Sequence, residues 1–381
     1  MGKATKALHL ARAMQTHATG INLDPDLTTS AAQGRNVIIN GDMQIAQRYP
    51  YQLTGLGATS GIHTLDRMFT TSVNSAGRFT MSQDSDCPNG FIHSLKYACT
   101  TADTSIASNE AVLLKYRIEG DDFQKFKWGT PEAEPSVFSF YVKGNAAATY
   151  TWEFSVGSYA IHKRFNVTTD WTRIVFAIPA RFVGAVEQGE GKGGEWNIWL
   201  HAGSDYTGGT QVQDQWHTGY NTNQRSNSSD TSFYDSTSRT FLITGIQWEL
   251  GSRVTPFEHL TYGEQLMKCQ RYYFHTYEKH HYPDLATARG AYNHNFGSMS
   301  TYGEVNFFFP VSMRSVPTVT SYSPEGGQGA GSFQYWNGST SVSTNSLYVG
   351  YHNQCHHNAK IALGGTSRSN FVGHVVAESE L

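Results

Sequence analysis

The sequence predicts a mainly β protein: a β-sandwich and a smaller C-terminal β domain, joined by one short helix and preceded by an N-terminal arm. Composition is the first reason. Of 381 residues, 15% are charged and 13% aromatic, and Gly numbers 37, a balance that suits strands and turns better than helices. Patterning is the second. Several segments alternate apolar and polar residues with period two, as strands with one buried face do.

The N-terminal stretch MGKATKALHLARAMQTHATG is basic and has no acid before Asp24. Its apolar run is too broken for a secretory signal. Ala7, Leu10, Ala11 and Met14 fit helical spacing. The segment reads as a frayed arm, as a short helix that docks on a partner through Leu8, Leu10 and Met14, or as a transit peptide. Residues 21–35 are polar, with Pro25, Ser30 and Gly34, and read as the linker that ends the arm.

From Asn36 the character changes. NVIINGDMQIAQR is an apolar run, an Asn-Gly-Asp turn signal and more strand-like residues. SVFSFYVK puts Phe138, Phe140 and Val142 on one face and Ser139, Tyr141 and Lys143 on the other. TYTWEFS groups Tyr150, Trp152 and Phe154 opposite Thr151, Glu153 and Ser155. TRIVFAIP gives Ile174, Phe176 and Ile178; EWNIWLH gives Trp196, Ile198 and Leu200. Strands in succession without helical patterns between them indicate a sandwich over residues 36–260.

Residues 203–238 are polar with scattered aromatics, and a loop this long is usually functional or mobile. FLITGIQWEL returns to strand, with Ile246, Trp248 and Leu250 inward and Gln247 and Glu249 outward; Val254, Pro256 and Phe257 make a corner. Thr261-Tyr262-Gly263-Glu264 fits a capping box. The helix after it carries Leu266, Cys269, Gln270 and Tyr273 on one face and is expected to end before Pro283, so the joining segment spans 261–282. Residues 283–381 form the second β region, with an Asn-Gly hairpin signal at Asn337–Gly338.

The whole chain is long enough for two or three domains. A net charge of −3 argues against a general nucleic-acid binder. No apolar run reaches the roughly 18 residues that a membrane helix needs. Cys87, Cys99, Cys269 and Cys355 are far apart, without a C-x-x-C pair, and read as buried or free thiols made in a reducing cytosol. A Cys87–Cys99 bridge has no support from spacing.

NVIINGDMQIAQR, TLDRM, FIHSLKY, YRIEG, FSFYVKG, ITGIQWELG and TPFE…YGEQLMKCQRYY occur in that order between Asn36 and Tyr273. Together they resemble a phage tail-fibre module, which combines a carbohydrate-binding-like jelly roll with a C-terminal β domain after the CQRYY helix. MRSVPTV and the AESEL at 377–381 extend the likeness. Met68 stands where an aromatic is common, and the arm has no counterpart. The resemblance implies a virion tail protein that is assembled in the bacterial cytoplasm, forms a homotrimer and contacts other tail proteins.

Sugars are held by aromatic faces and by planar polar side chains. Tyr206, Trp216, Tyr220, Phe233 and Tyr234 lie among Asp205, Asp214, Asn221, Asn223 and Gln224, a composition that suits a glycan or a protein contact, or else aromatics that anchor the loop. Tyr335, Trp336, Asn337, Tyr348, Tyr351 and His352 form a second candidate surface, or serve packing. Of these, Tyr206, Trp216, Tyr220, Tyr335, Trp336 and Tyr351 are the expected glycan contacts.

His352 to His357 is dense in ligand types but lacks a zinc-finger partner cluster. Asp84 with Asp86, or Asp121 with Asp122, are lone acid pairs of the kind that turns use. Neither a metal nor a cofactor is expected. Asp66, Glu119, Glu153 and Glu249 form no glycosidase motif, and no G-x-S-x-G, H-E-x-x-H or Walker sequence occurs. Asp66 beside Arg67 is expected to form an internal ion pair. The expectation is a non-enzymatic tail fibre that attaches by its N-terminus and recognises host-surface glycans, with neither nucleic acid nor membrane insertion. A virion-decorating or adaptor protein is the alternative, and a glycan depolymerase the next.

Overall fold

The computed structural model describes residues 34–48, 52–219, 221–279, 281–299, 302–327, 329–336, 341–344, 347–362 and 368–381. The arm with Leu8, Leu10 and Met14 lies outside the described residues, as do Tyr220 and the Asn337–Gly338 turn.

The protein is mainly β, a jelly-roll sandwich of two antiparallel sheets followed by a smaller β domain. One sheet runs, side by side, β1 (Gln52–Leu56), β4 (Arg78–Asp84), β5 (Ser94–Thr101), β13 (Thr240–Leu250), β7 (Ser136–Gly144) and β10 (Thr172–Ile178). The other runs β12 (His217–Thr218), β9 (Tyr159–Val167), β8 (Ala148–Val156), β11 (Lys192–Ala202), β6 (Ala111–Glu119), β3 (Phe69–Val73) and β2 (Thr59–His63).

The period-two reading places the core correctly. Phe138, Phe140 and Val142 of β7 meet Tyr150, Trp152 and Phe154 of β8 and Trp196, Ile198 and Leu200 of β11, all fully or almost fully buried. Phe138 and Trp152 sit 4.7 Å apart, centroid to centroid, and Phe154 meets Trp248 edge-on at 4.6 Å. Such aromatic pairs add about 0.5–1.5 kcal/mol each beyond the area they bury.

The segment after Gly34 is not a strand. It packs Val37, Ile38, Met43 and Ile45 into the interior and bonds to β13 through Val37 N to Trp248 O and Ile246 N to Gly41 O. Gly41 is required there, because a Cβ would stand 2.1 Å from the Ile246 carbonyl oxygen. Gln247 and Glu249, expected outward, are also buried. The corner folds back over them: Gln247 Oε1 accepts from Glu258 N, and Glu249 accepts from Thr255 N.

Helix α1 (Tyr262–Gln270) starts at the expected capping box on Thr261 and Glu264. It buries Gln265 and Cys269. The helix stops at Gln270, well short of Pro283, so the helical part of the joining segment is shorter than its sequence suggests. The reason is competition: Tyr273–His275 forms β14, which pairs with β22 (Arg368–Glu378) through Tyr273 opposite Glu378.

Strand β22 is the spine of the C-terminal domain. It also pairs with β15 (Tyr292–Met299), β17 (Thr318–Tyr322) and β18 (Phe333–Trp336). β18 pairs with β19 (Ser341–Thr344), Trp336 opposite Ser341, so the two strands of the expected hairpin are present. β16 (Tyr302–Phe308), β21 (His356–Ala362) and β20 (Leu347–His352) make a separate sheet. Val305, Phe307, Phe333, Phe371 and Val375 form this domain's own core. All four cysteines are free, so there is no Cys87–Cys99 bridge.

Candidate functional site

Strand register assembles a polar row across the outer face of the seven-stranded sheet. His162, Glu153, Asn197, Lys115, Phe69 and His63 stand opposite one another on successive strands. A second row sets Ser155 opposite Glu195, and Glu195 opposite Arg117. A third runs Arg164, Thr151, Trp199 and Leu113. Their chain neighbours fill the core, so the pleat sends these side chains outward.

The long loop lies over one half of this face, which is why Thr151 and Glu153 are buried as fully as the core. Glu153 is the hub. Its carboxylate accepts from Arg225 Nε at 2.8 Å, Trp199 Nε1 at 2.8 Å and Asn197 Nδ2 at 3.2 Å, with His162 Nε2 at 3.6 Å. Burial alone would raise its pKa, but His162 and Arg225 together outweigh that and bring it down to about 2. Asp230 accepts from Arg164 Nε at 2.8 Å and from the Thr151 hydroxyl at 2.6 Å. Lys163 reaches Asp214 at 2.7 Å, and His162 Nδ1 meets His217 Nε2 at 3.1 Å.

The loop aromatics serve this attachment. Phe233 and Tyr234 are fully buried, which removes them as contact residues. Trp216 is half-buried; its indole donates to the Pro179 carbonyl at 2.8 Å and packs on Trp128 and Phe154. Tyr206 lies half-buried against Trp199, centroids 5.1 Å apart. Tyr335 and Trp336 stand on β18 and Tyr351 on β20, at positions where only the backbone is described.

The other half of the face lies outside the loop, and there the Leu381 carbonyl accepts from Arg117 Nη1. Lys115 and Arg117 flank Glu195, at 3.0 and 2.8 Å from its two oxygens. Both cations lie over the Phe69 ring, 5.6 and 4.8 Å from its centroid. Burial raises the Glu195 pKa, and Lys115 and Arg117 reverse that to leave it below the ordinary carboxylate range.

The acids weighed for catalysis are all held by partners. Glu119 accepts Arg271 through both oxygens and also takes the Tyr272 hydroxyl. Asp66 accepts from Gln47 N and Nε2 and faces Arg48 at 3.8 Å. Asp84 pairs with Lys96, Asp86 with Lys143 and the Trp171 indole, and Asp121 takes Gly189 N. These bonds hold Asp84, Asp86 and Asp121 to their neighbours.

The expected Asp66–Arg67 pair does not form. Arg67 is buried at φ 71° and points away from its neighbour. It pairs with Glu380, donates to the Arg117 carbonyl at 2.6 Å and stacks on Tyr272 at 3.5 Å. Arg48 stacks on Tyr273 at 3.9 Å and reaches Glu380 at 3.0 Å. QR, TLDRM, QRYY and AESEL, remote in sequence, therefore meet at one junction between sandwich and C-terminal domain. Their side chains are spent on joining the domains, while the polar face is built by residues outside every one of these motifs except YRIEG, which supplies Arg117. The signal for that face was the polar half of each alternating strand.

No family model matches this chain, and no curated protein matches it. Among solved structures, the enzymatically active domain of bacteriophage CBA120 tailspike protein 4 aligns at 10% identity and TM-score 0.29, over 57% of this chain but only 22% of that one. A family 4 carbohydrate-binding module aligns at 10% identity and TM-score 0.29, over 56% of this chain and 98% of the module. The family 61 module in complex with β-1,4-galactotriose aligns at 9% identity and TM-score 0.27, over 58% and 100%.

Proposed function

We propose that this chain is a phage tail-fibre component that recognises host-surface glycans with the outer face of its seven-stranded sheet. The observation that carries the reading is the register: polar side chains aligned across a rigid sheet, half covered by a latched loop and half outside it at Lys115, Arg117 and Glu195. Sites on strands hold such groups in place better than sites on loops. The ordered motifs shared with tail-fibre modules support the virion setting. In this reading the arm attaches to other tail proteins through Leu8, Leu10 and Met14, and Tyr206, Trp216, Tyr220, Tyr335, Trp336 and Tyr351 remain candidate sugar contacts. A homotrimer would turn weak sites into firm adhesion by multivalency. The pairing of every weighed acid supports a binding role over depolymerisation.

Binding of the purified protein to host cells and to their isolated envelope polysaccharides tests this. The expected result is saturable binding to both, weakened about tenfold, or roughly 1.4 kcal/mol, by Arg117→Ala. Saturable binding to cells that persists after the surface glycans are stripped would sink it.

The adaptor reading draws on one observation. Phe182 and Val183 are 57% and 59% exposed, next to one another on the β10–β11 connection, an apolar surface that suits protein contact.

A further inference from the structure

We infer that the glycan is acidic, a polymer carrying carboxylate or phosphate groups; the inference rests on the glycan-binding reading above. It comes from an asymmetry within the ion pairs of the face. In the Arg117–Glu195 pair the arginine side chain is 32% exposed and the carboxylate 8%. In Arg164–Asp230 the figures are 27% and 7%, and in Arg225–Glu153 they are 26% and 0%. Lys115 repeats the pattern on Glu195, at 17% against 8%.

In each of these pairs the cation is the more exposed partner, whether the acid stands on a strand, as Glu195 and Glu153 do, or on the loop, as Asp230 does. A neutral set of pairs therefore presents a positive surface to an approaching molecule. Each buried carboxylate also fixes its guanidinium, so less side-chain freedom is lost when a ligand binds. Arg225 already gives two nitrogens to Glu153, Arg164 also donates to Ser229 and Arg117 to the Leu381 carbonyl, so a ligand's carboxylate or phosphate oxygens would share guanidiniums that these bonds hold in place.

Two exposed carboxylates run against the pattern. Asp214, 72% exposed, sits on Lys163 beside β9 and β12. Glu378, 50% exposed, pairs with Arg48 and lines a cavity with Ser60, Gly61 and His63 of β2. Both lie by the edge strands, so they flank the cationic strip. That strip reaches from β9 to β6, three strand spacings or about 14 Å, a span for several sugar residues rather than one.

Titration of the full chain with polygalacturonate, phosphomannan, dextran and a neutral galactan, at low and high salt, tests the inference. The expected result is binding to polygalacturonate or phosphomannan alone, weakened by salt and cut about tenfold by Arg117→Gln. Which of the two binds separates carboxylate from phosphate. Lys115→Gln is the second variant if Arg117→Gln unfolds, because Arg117 then still partners Glu195. Binding to the neutral polymers, insensitive to salt and to both variants, overturns the acidic assignment and leaves glycan recognition standing. Acidic polymers bound equally by wild type and both variants also overturn it, as non-specific attraction. No binding to any polymer, together with none to host envelope polysaccharide, removes the glycan reading itself and this inference with it.

Discussion

Glu380 is the carboxylate on which the domain junction turns. Burial pushes its pKa up, but Arg67 and Arg48 overcome that and hold it at about 2, against an ordinary 4.5. A depressed carboxyl stabilises the folded state fully above its unfolded value. That stabilisation is lost as pH falls from 4.5 towards 2, and it is on the order of 3 kcal/mol. Glu380→Gln strands Arg67 in a buried site, at a cost of about 3–5 kcal/mol. Urea unfolding should show that cost near neutral pH. The gap between wild type and variant should narrow as pH drops below 4.5, because the unfolded chain then binds a proton at Glu380 that the folded protein takes up only near pH 2. A gap that stays constant down to pH 2 would mean that Glu380 is not the ionised partner.

At the scale of elements, the loop of residues 203–238 acts as a fixed cover. Glu153 and Arg164 on the strands meet Arg225 and Asp230 of the loop across the face, and Lys163, opposite Trp152 on the inner side of β9, meets Asp214. Arg225→Ala leaves Glu153 buried without its main cation, so amide exchange should rise across 210–225 while β13 stays protected. Unchanged exchange in that segment would show that the aromatic anchors suffice alone. The strands themselves were legible, since Trp152, Trp196 and Trp248 alternate with polar residues as a sheet requires. The cover was not. Glu153 and Arg225 are 72 residues apart, and nothing local in Thr151-Trp152-Glu153 tells that the polar side will also be buried. The same holds for Gln247 and Glu249 under the corner. Period two reports which side faces the core; it is silent on what later chain folds over the other side. The extent of helix α1 was not legible for a related reason: its capping box is local and was readable, whereas its end is set by β14 pairing with a strand about a hundred residues on.

At the scale of the whole molecule, the QR, TLDRM, QRYY and AESEL motifs prove to be joints. Arg48, Asp66, Arg67, Tyr272, Tyr273 and Glu380 converge where the C-terminal domain meets the sandwich, and Arg271 clamps Glu119 beside them. A cavity of about 690 Å3 opens at this junction, lined by Glu119, Asp122, Lys125, Lys268, Arg271 and Tyr272. Burying ions costs several kcal/mol each, so such a joint specifies one arrangement rather than adding great stability. The C-terminal domain, with a core of few residues, is marginal alone, and the joint ties its folding to the sandwich. Calorimetry should therefore show one cooperative transition across the described domains. Arg67→Ala removes the stack on Tyr272 and the pair with Glu380 together. The single transition should then divide, the C-terminal domain melting first and the sandwich near its original temperature. Near-UV signals from Trp152, Trp196 and Trp248, all in the sandwich core, would follow only the second step. If Arg67→Ala instead lowers one undivided transition, the domains are held together by more than this junction.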